Sequence, residues 1–96
     1  DRRYLDETVN AVIGRRAAID AIVAKYLVNW TIERLARVDL SILRLAVFEL
    51  LCRKDIPAAV VINEAVELSH VYSTEEAGAF INGVLGNINR AGETLE

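Results

Sequence analysis

Residues 38–53 read VDLSILRLAVFELLCR, and only Arg44 and Glu49 interrupt the middle of that run with charge. A helix that is apolar around most of its circumference has no face to give to water, so other elements must enclose it. That requirement dominates what a chain of 96 residues can become. Asp39 is the expected cap of this central helix, its carboxylate suited to the positive helix start. Lys54-Asp55 is expected to end it.

The flanking segments supply the enclosure. Over residues 3–27 the apolar positions Leu5, Val9, Val12, Ile13, Ile19, Ile22, Val23, Tyr26 and Leu27 recur in helical steps of three and four. Gly14 is expected to kink that segment, at about 1 kcal/mol relative to alanine. Asn29 and Thr31 break the pattern, and Thr31 is placed to cap a short turn through Leu35. Ile56-Pro57 opens the next helix, because proline at the first helical position loses only an amide hydrogen that has no partner there. Its expected stripe is Val61, Ala65, Leu68 and Tyr72, flanked by Val60, Ile62 and Val66. Ser73 with Glu76 has the spacing of a capping box and opens a last helix to about residue 89, with Phe80, Ile81, Val84, Leu85 and Ile88 inward. No segment alternates strictly between apolar and polar residues. The fold class is therefore all-α, an antiparallel helical bundle with short connections. Gly78, Gly83 and Gly86 fall inside the last helix, where their expected use is the close approach of a neighbouring backbone or a ligand.

The chain is 53% hydrophobic, with a mean hydropathy of +0.26. No apolar run approaches the roughly 20 residues that cross a bilayer. Asp1-Arg2-Arg3 is followed by no apolar region of the kind a signal peptide needs. The single cysteine, Cys52, has no partner for an internal disulfide. A cytoplasmic protein with no membrane association is expected. A net charge of −3 and a pI near 5.2 argue against a general nucleic-acid binder, although an average hides local asymmetry. The basic residues pair at Arg2-Arg3, Arg15-Arg16 and Arg53-Lys54, with Arg34, Arg37 and Arg44 between, and such clusters are more often solvated helix faces than RNA sites. The chain contains no methionine, so it is expected to be part of a longer protein.

No active site is visible. His70, the one histidine, has no serine or cysteine at a catalytic spacing, and reads as solvent-facing or capping. Cys52 reads as a small hydrophobe on the central helix. Glu64 and Glu67 share a helix face without the further ligands a metal requires. Gly83-Val84-Leu85-Gly86 lacks both the preceding strand and the following lysine of a phosphate loop. No cofactor and no metal are expected. Asn63 and Asn82, mediocre helix formers inside helices, need local reasons. Each amide either satisfies backbone groups within the bundle or meets a ligand, and burial is favoured for Asn63 by its apolar neighbours. Asn82 stands near Phe80 and the polar turn at residues 73–76, a combination suited to stacking and hydrogen bonding an unstacked base. Arg44 in so apolar a helix needs an anionic partner: Glu49, another acidic side chain or a phosphate.

VDLSILRLA at residues 38–46, FEL at 48–50, DIP at 55–57, INEAVEL at 62–68 and FINGVL at 80–85 together resemble the NusB family of transcription antitermination factors, and the likeness covers nearly the whole chain. The resemblance implies an all-helical fold and a non-enzymatic role. It implies binding of boxA-like single-stranded RNA jointly with the ribosomal protein NusE, within the RNA polymerase antitermination complex that supports ribosomal RNA synthesis. By motif position it assigns Arg44, Glu76 and Phe80 to the RNA side, with Asn82 in the same helix, and Asp39 to the ribosomal-protein side. It also implies that residues 1–96 are one NusB-like domain truncated at its N-terminus, without the family's leading helices and their arginine-rich segment. Ala58-Ala59 stand after Pro57, where a basic or aromatic residue would strengthen an RNA face. A fragment stripped of those helices is expected to cover its apolar surface by forming a homodimer. The rival reading, from another class, is the NusB-like recognition domain of a ribosomal RNA cytosine methyltransferase.

Overall fold

A computed structural model of the chain describes residues 2–95, apart from the side chains of residues 2–5, 11 and 12. Its elements are α1 (Arg2–Gly14), α2 (Arg16–Lys25), a 3-10 turn (Ile32–Arg34), α3 (Arg37–Cys52), α4 (Ala58–Tyr72) and α5 (Glu75–Ala91), with no strand among the described residues. The expected positions Leu5 and Val12, like Arg2 and Arg3, have side chains outside the described ones. No helix of the described residues is long and apolar enough to cross a membrane.

The all-round apolar run becomes the central element, since α3 touches each of the other four helices. Leu43 and Val47 are fully buried, with Ile42, Ala46, Phe48 and Leu50 nearly so. Against them pack Ile19 and Val23 of α2, Val61 and Ala65 of α4, and Ile81, Leu85 and Ile88 of α5. The long first segment breaks at Arg15, one residue after Gly14, and Arg15 ties the break to α3. Its guanidinium lies 5.7 Å from the Phe48 ring centroid, and Nη1 donates to Cys52 Sγ at 3.8 Å.

The helix starts differ from the sequence-based expectations. Asp39 does not cap α3: Ala36 holds that position in extended conformation, and Asp39 sits in the first turn. Pro57 is the cap residue of α4, one place earlier than expected, and its carbonyl accepts from Val60 and Val61. The Ser73–Glu76 capping box does not form. Because α4 continues through Tyr72, Ser73 is spent as its C-cap, donating its amide to the Ser69 carbonyl at 2.7 Å. Thr74 takes over as the cap of α5, its Oγ1 accepting from the Ala77 amide at 3.0 Å.

The face of α4 is also rotated from the expected stripe. Leu68 and Tyr72 are 37% and 67% exposed, while Ser69 is fully buried beside Val61 and Ala65. Ser69 silences its hydroxyl by donating to the Val66 carbonyl at 2.6 Å. Small residues are chosen because α5 comes close there. A Cβ on Gly78 would stand 2.8 Å from His70 Nε2 and 3.1 Å from Ser69 Oγ. Gly83 faces open space, so the close approach expected of it is absent, and a Cβ on Gly86 would meet only the Arg90 guanidinium. Rotation of α4 also exposes Asn63, two residues from the buried Val61, against its expected burial.

At the other end of α5, Gly92 turns the chain in a left-handed conformation at φ 69 and sends the tail over α2. There Glu93 Oε2 accepts from the Tyr26 hydroxyl at 2.6 Å and lies 2.8 Å from Lys25 Nζ. Hydrogen bonds from Lys25, then Tyr26, hold the Glu93 carboxyl below its usual range, and the same carboxylate pushes the Tyr26 phenol up. Leu95 then packs against the core.

Candidate nucleic-acid interface

Two helix starts converge on one open groove of about 370 Å³. The segment entering α3 contributes Trp30, Arg34, Leu35 and Ala36, and the first turn of α3 contributes Asp39. The start of α5 contributes Thr74, Glu76, Ala77 and Phe80. Leu35, Ala77 and Phe80 give the groove apolar walls. The amide ends of α3 and α5 add positive partial charge, which the first-turn carboxylates Asp39, Glu75 and Glu76 complement. Asp39 Oδ1 is buried without a hydrogen-bond partner among the described residues. A buried carboxylate oxygen in that state costs free energy until a donor reaches it. The groove therefore combines an aromatic surface with an acceptor that lacks its donor.

Three of the five residues assigned by resemblance meet here: Asp39, Glu76 and Phe80. Phe80 is half-buried, with one side packed against the core. Arg44 lies outside the groove. Its Nε and Nη2 donate to Asp20 Oδ1 and Oδ2, each at 2.8 Å, in a two-pronged bridge from α3 to α2. Of the partners left open for it, an acidic side chain is the one found, but Asp20 rather than Glu49. That bond holds the guanidinium still more firmly protonated. Glu49 instead faces Glu64 of α4, and burial, reinforced by Glu64, pushes its carboxyl up.

Asn82 also stands apart. Two residues beyond Phe80 it points off the other side of α5, into a second open groove with Asn63, His70, Glu67, Glu75 and Gly78. Among the described residues no group of three or more His, Cys, Asp or Glu side chains is placed to hold a metal ion.

Two groove residues escape a periodicity reading. Trp30 lies in the break between helices, where steps of three and four carry no information, and Arg34 falls within the 3-10 turn. The available signal is their spacing: an isolated tryptophan with an arginine four residues on, ahead of an apolar helix. In the structure the Arg34 Cζ stands 5.8 Å over the Trp30 ring centroid.

Residues 1–90 match the model of the NusB family. The transcription antitermination protein NusB of Ruminiclostridium cellulolyticum is 44% identical over 90 residues, covering 94% of this chain and 62% of that protein. Its namesake in Geotalea uraniireducens is 54% identical over 85 residues, covering 88% of this chain and 59% of the relative. Among solved structures, T. maritima NusB superposes with a TM-score of 0.85 at 39% identity, over 94% of this chain and 62% of the other. The chain thus spans about three fifths of the length of the relatives it matches.

Proposed function

This chain belongs to the NusB family, and we propose that it is the helical portion of a cytoplasmic, non-catalytic transcription antitermination factor. In this reading it binds boxA-type single-stranded RNA together with the ribosomal protein NusE, and acts on RNA polymerase during ribosomal RNA transcription. Relatives that carry the antitermination name favour this reading over a methyltransferase recognition domain.

The observation that carries it is the groove where Asp39, Glu76 and Phe80 meet. Phe80 offers the exposed side of its ring to an unstacked base, a contact that tolerates sequence because every base has a π-face. Glu76 accepts from base-edge donors. Asp39 Oδ1, lacking a donor among the described residues, takes one from the protein partner. Arg44 and Asn82 are outlying contacts in this scheme. Arg44 has Nη1 left for a phosphate once Asp20 has engaged its other edge, and Asn82 would serve a strand that continues around α5.

The test is fluorescence anisotropy of a labelled boxA-like strand titrated with the chain, with and without NusE. Phe80→Leu keeps apolar bulk against the core but removes the ring. Loss of stacking should weaken binding about 5- to 150-fold, the equivalent of roughly 1–3 kcal/mol. Wild-type affinity in a Phe80→Leu protein of unchanged melting temperature would remove Phe80 from the RNA site.

A further inference from the structure

Trp30 is the only tryptophan of the chain and is 50% exposed at the edge of the groove. Half a tryptophan left in water forfeits a large apolar contribution that burial would return. The backbone that presents the ring is nevertheless a defined turn. The chain reaches it through Asn29 at φ 65, a left-handed conformation that asparagine tolerates better than most residues. Immediately afterwards Arg34 donates its backbone amide to the Thr31 carbonyl and fixes the turn. The Arg34 guanidinium lies over one face of the indole. No carboxylate partner of Arg34 is found among the described residues, whereas Arg44, Arg53 and Lys25 each have one. A cation held by an aromatic face rather than by an acid keeps its charge available to an incoming anion.

We propose that Trp30 and Arg34 form a second contact unit of this groove, in which the free face of Trp30 stacks an unpaired base of single-stranded RNA and Arg34 meets the adjoining phosphate. The inference rests on the RNA reading of the groove and extends it. Trp30 and Phe80 line the same groove from elements fifty residues apart in the chain, so two bases of one strand find separate platforms. A guanidinium placed over the indole also supplies the phosphate attraction that Arg44, held by Asp20, offers only through Nη1.

The experiment uses the same titrations, read by two signals. Anisotropy of the labelled strand reports binding, and the difference in tryptophan emission between wild type and Trp30→Phe isolates the Trp30 signal even with the protein partner present. Quenching of that signal along the anisotropy isotherm is expected. Trp30→Ala should weaken binding about five-fold or more, with Trp30→Phe recovering most of the loss. Arg34→Gln should lower the slope of log affinity against log salt by about one. Binding without quenching, together with wild-type affinity in Trp30→Ala, would overturn the inference and leave the groove reading standing. Absence of RNA binding in every mixture would overturn both.

Discussion

Replacing Asp20 by alanine should destabilise the fold far more than a surface charge change does, because it strands Arg44. The two side chains are 24% and 16% exposed, and the bridge has both of its prongs at 2.8 Å. An exposed pair contributes at most about 1 kcal/mol, and breaking a buried one costs about 3–5 kcal/mol. A pair mostly withdrawn from water, with one edge open, belongs between those limits, at about 2–3 kcal/mol. For a domain of this size each kcal/mol moves the melting temperature by about 4–8 °C, so a fall of roughly 8–24 °C is expected. Urea and thermal unfolding of wild type, Asp20→Ala, Arg44→Gln and the double variant give the coupling directly. The double variant should be less destabilised than the two single changes added together. A midpoint for Asp20→Ala within about 0.5 kcal/mol of wild type, or strict additivity, would refute the reasoning. The same proteins separate folding from binding. If Arg44 touches RNA, Arg44→Gln will lose affinity that an equally destabilised Asp20→Ala keeps.

Two glycines of one helix should respond with opposite sign. Gly83→Ala should raise stability by about 0.5–1 kcal/mol, since its Cβ enters open space, while Gly78→Val should lower it by forcing β-branched bulk against Ser69 and His70; chemical denaturation reads both. Glu49 favours its neutral form in the fold, so its contribution is fully present below the ordinary glutamate pKa and is lost as pH rises through the elevated value. Glu49→Gln should therefore stabilise the protein at neutral pH and flatten that part of the melting temperature–pH curve. Val9 and Ile13 of α1, with Val28 of the loop after α2, stand mostly in water, and a homodimer that exchanges the first helix at the break near Gly14 or at Asn29 would cover them. Sedimentation should show a concentration-dependent dimer, and a clean monomer at high concentration would refute it.

The parts of the fold legible in the sequence are those where apolar residues outnumber the positions water can take. The run at residues 38–53 admits only a central placement, and the inward set Ile81, Val84, Leu85 and Ile88 of α5 stands as read. The break near Gly14 is legible for a different reason, the cost of a glycine inside an otherwise helical period. What escapes is decided by neighbours distant in sequence. Whether Ser73 or Thr74 caps α5 depends on how far α4 runs, which a capping pattern does not encode. On α4 a hydrophobicity count prefers Leu68 and Tyr72, but the close approach at Gly78 selects Ser69. Asn63 follows that rotation into water. The partner of Arg44 lies twenty-four residues away on α2, and nothing local distinguishes Asp20 from Glu49. The candidate site is half legible: motif positions identify Asp39, Glu76 and Phe80, whereas Trp30 and Arg34 join them only once the segment before α3 is folded against α5.

The fastening of the tail to α2 carries a consequence for the order of events during synthesis. Tyr26 and Glu93 are separated by 67 positions, and their bond closes a loop that contains α3, α4 and α5. Such a contact forms late, after the entropy of joining distant segments has been offset by nearer ones. The C-terminal edge of α2 therefore waits, its tyrosine and lysine served by water, until the last helix has emerged and turned at Gly92. Until then α2 is held to α3 through Ile19, Val23 and the Asp20–Arg44 bridge. Once Glu93 docks, the whole bundle is latched by a polar bond at the rim of its apolar core, where Tyr26 packs.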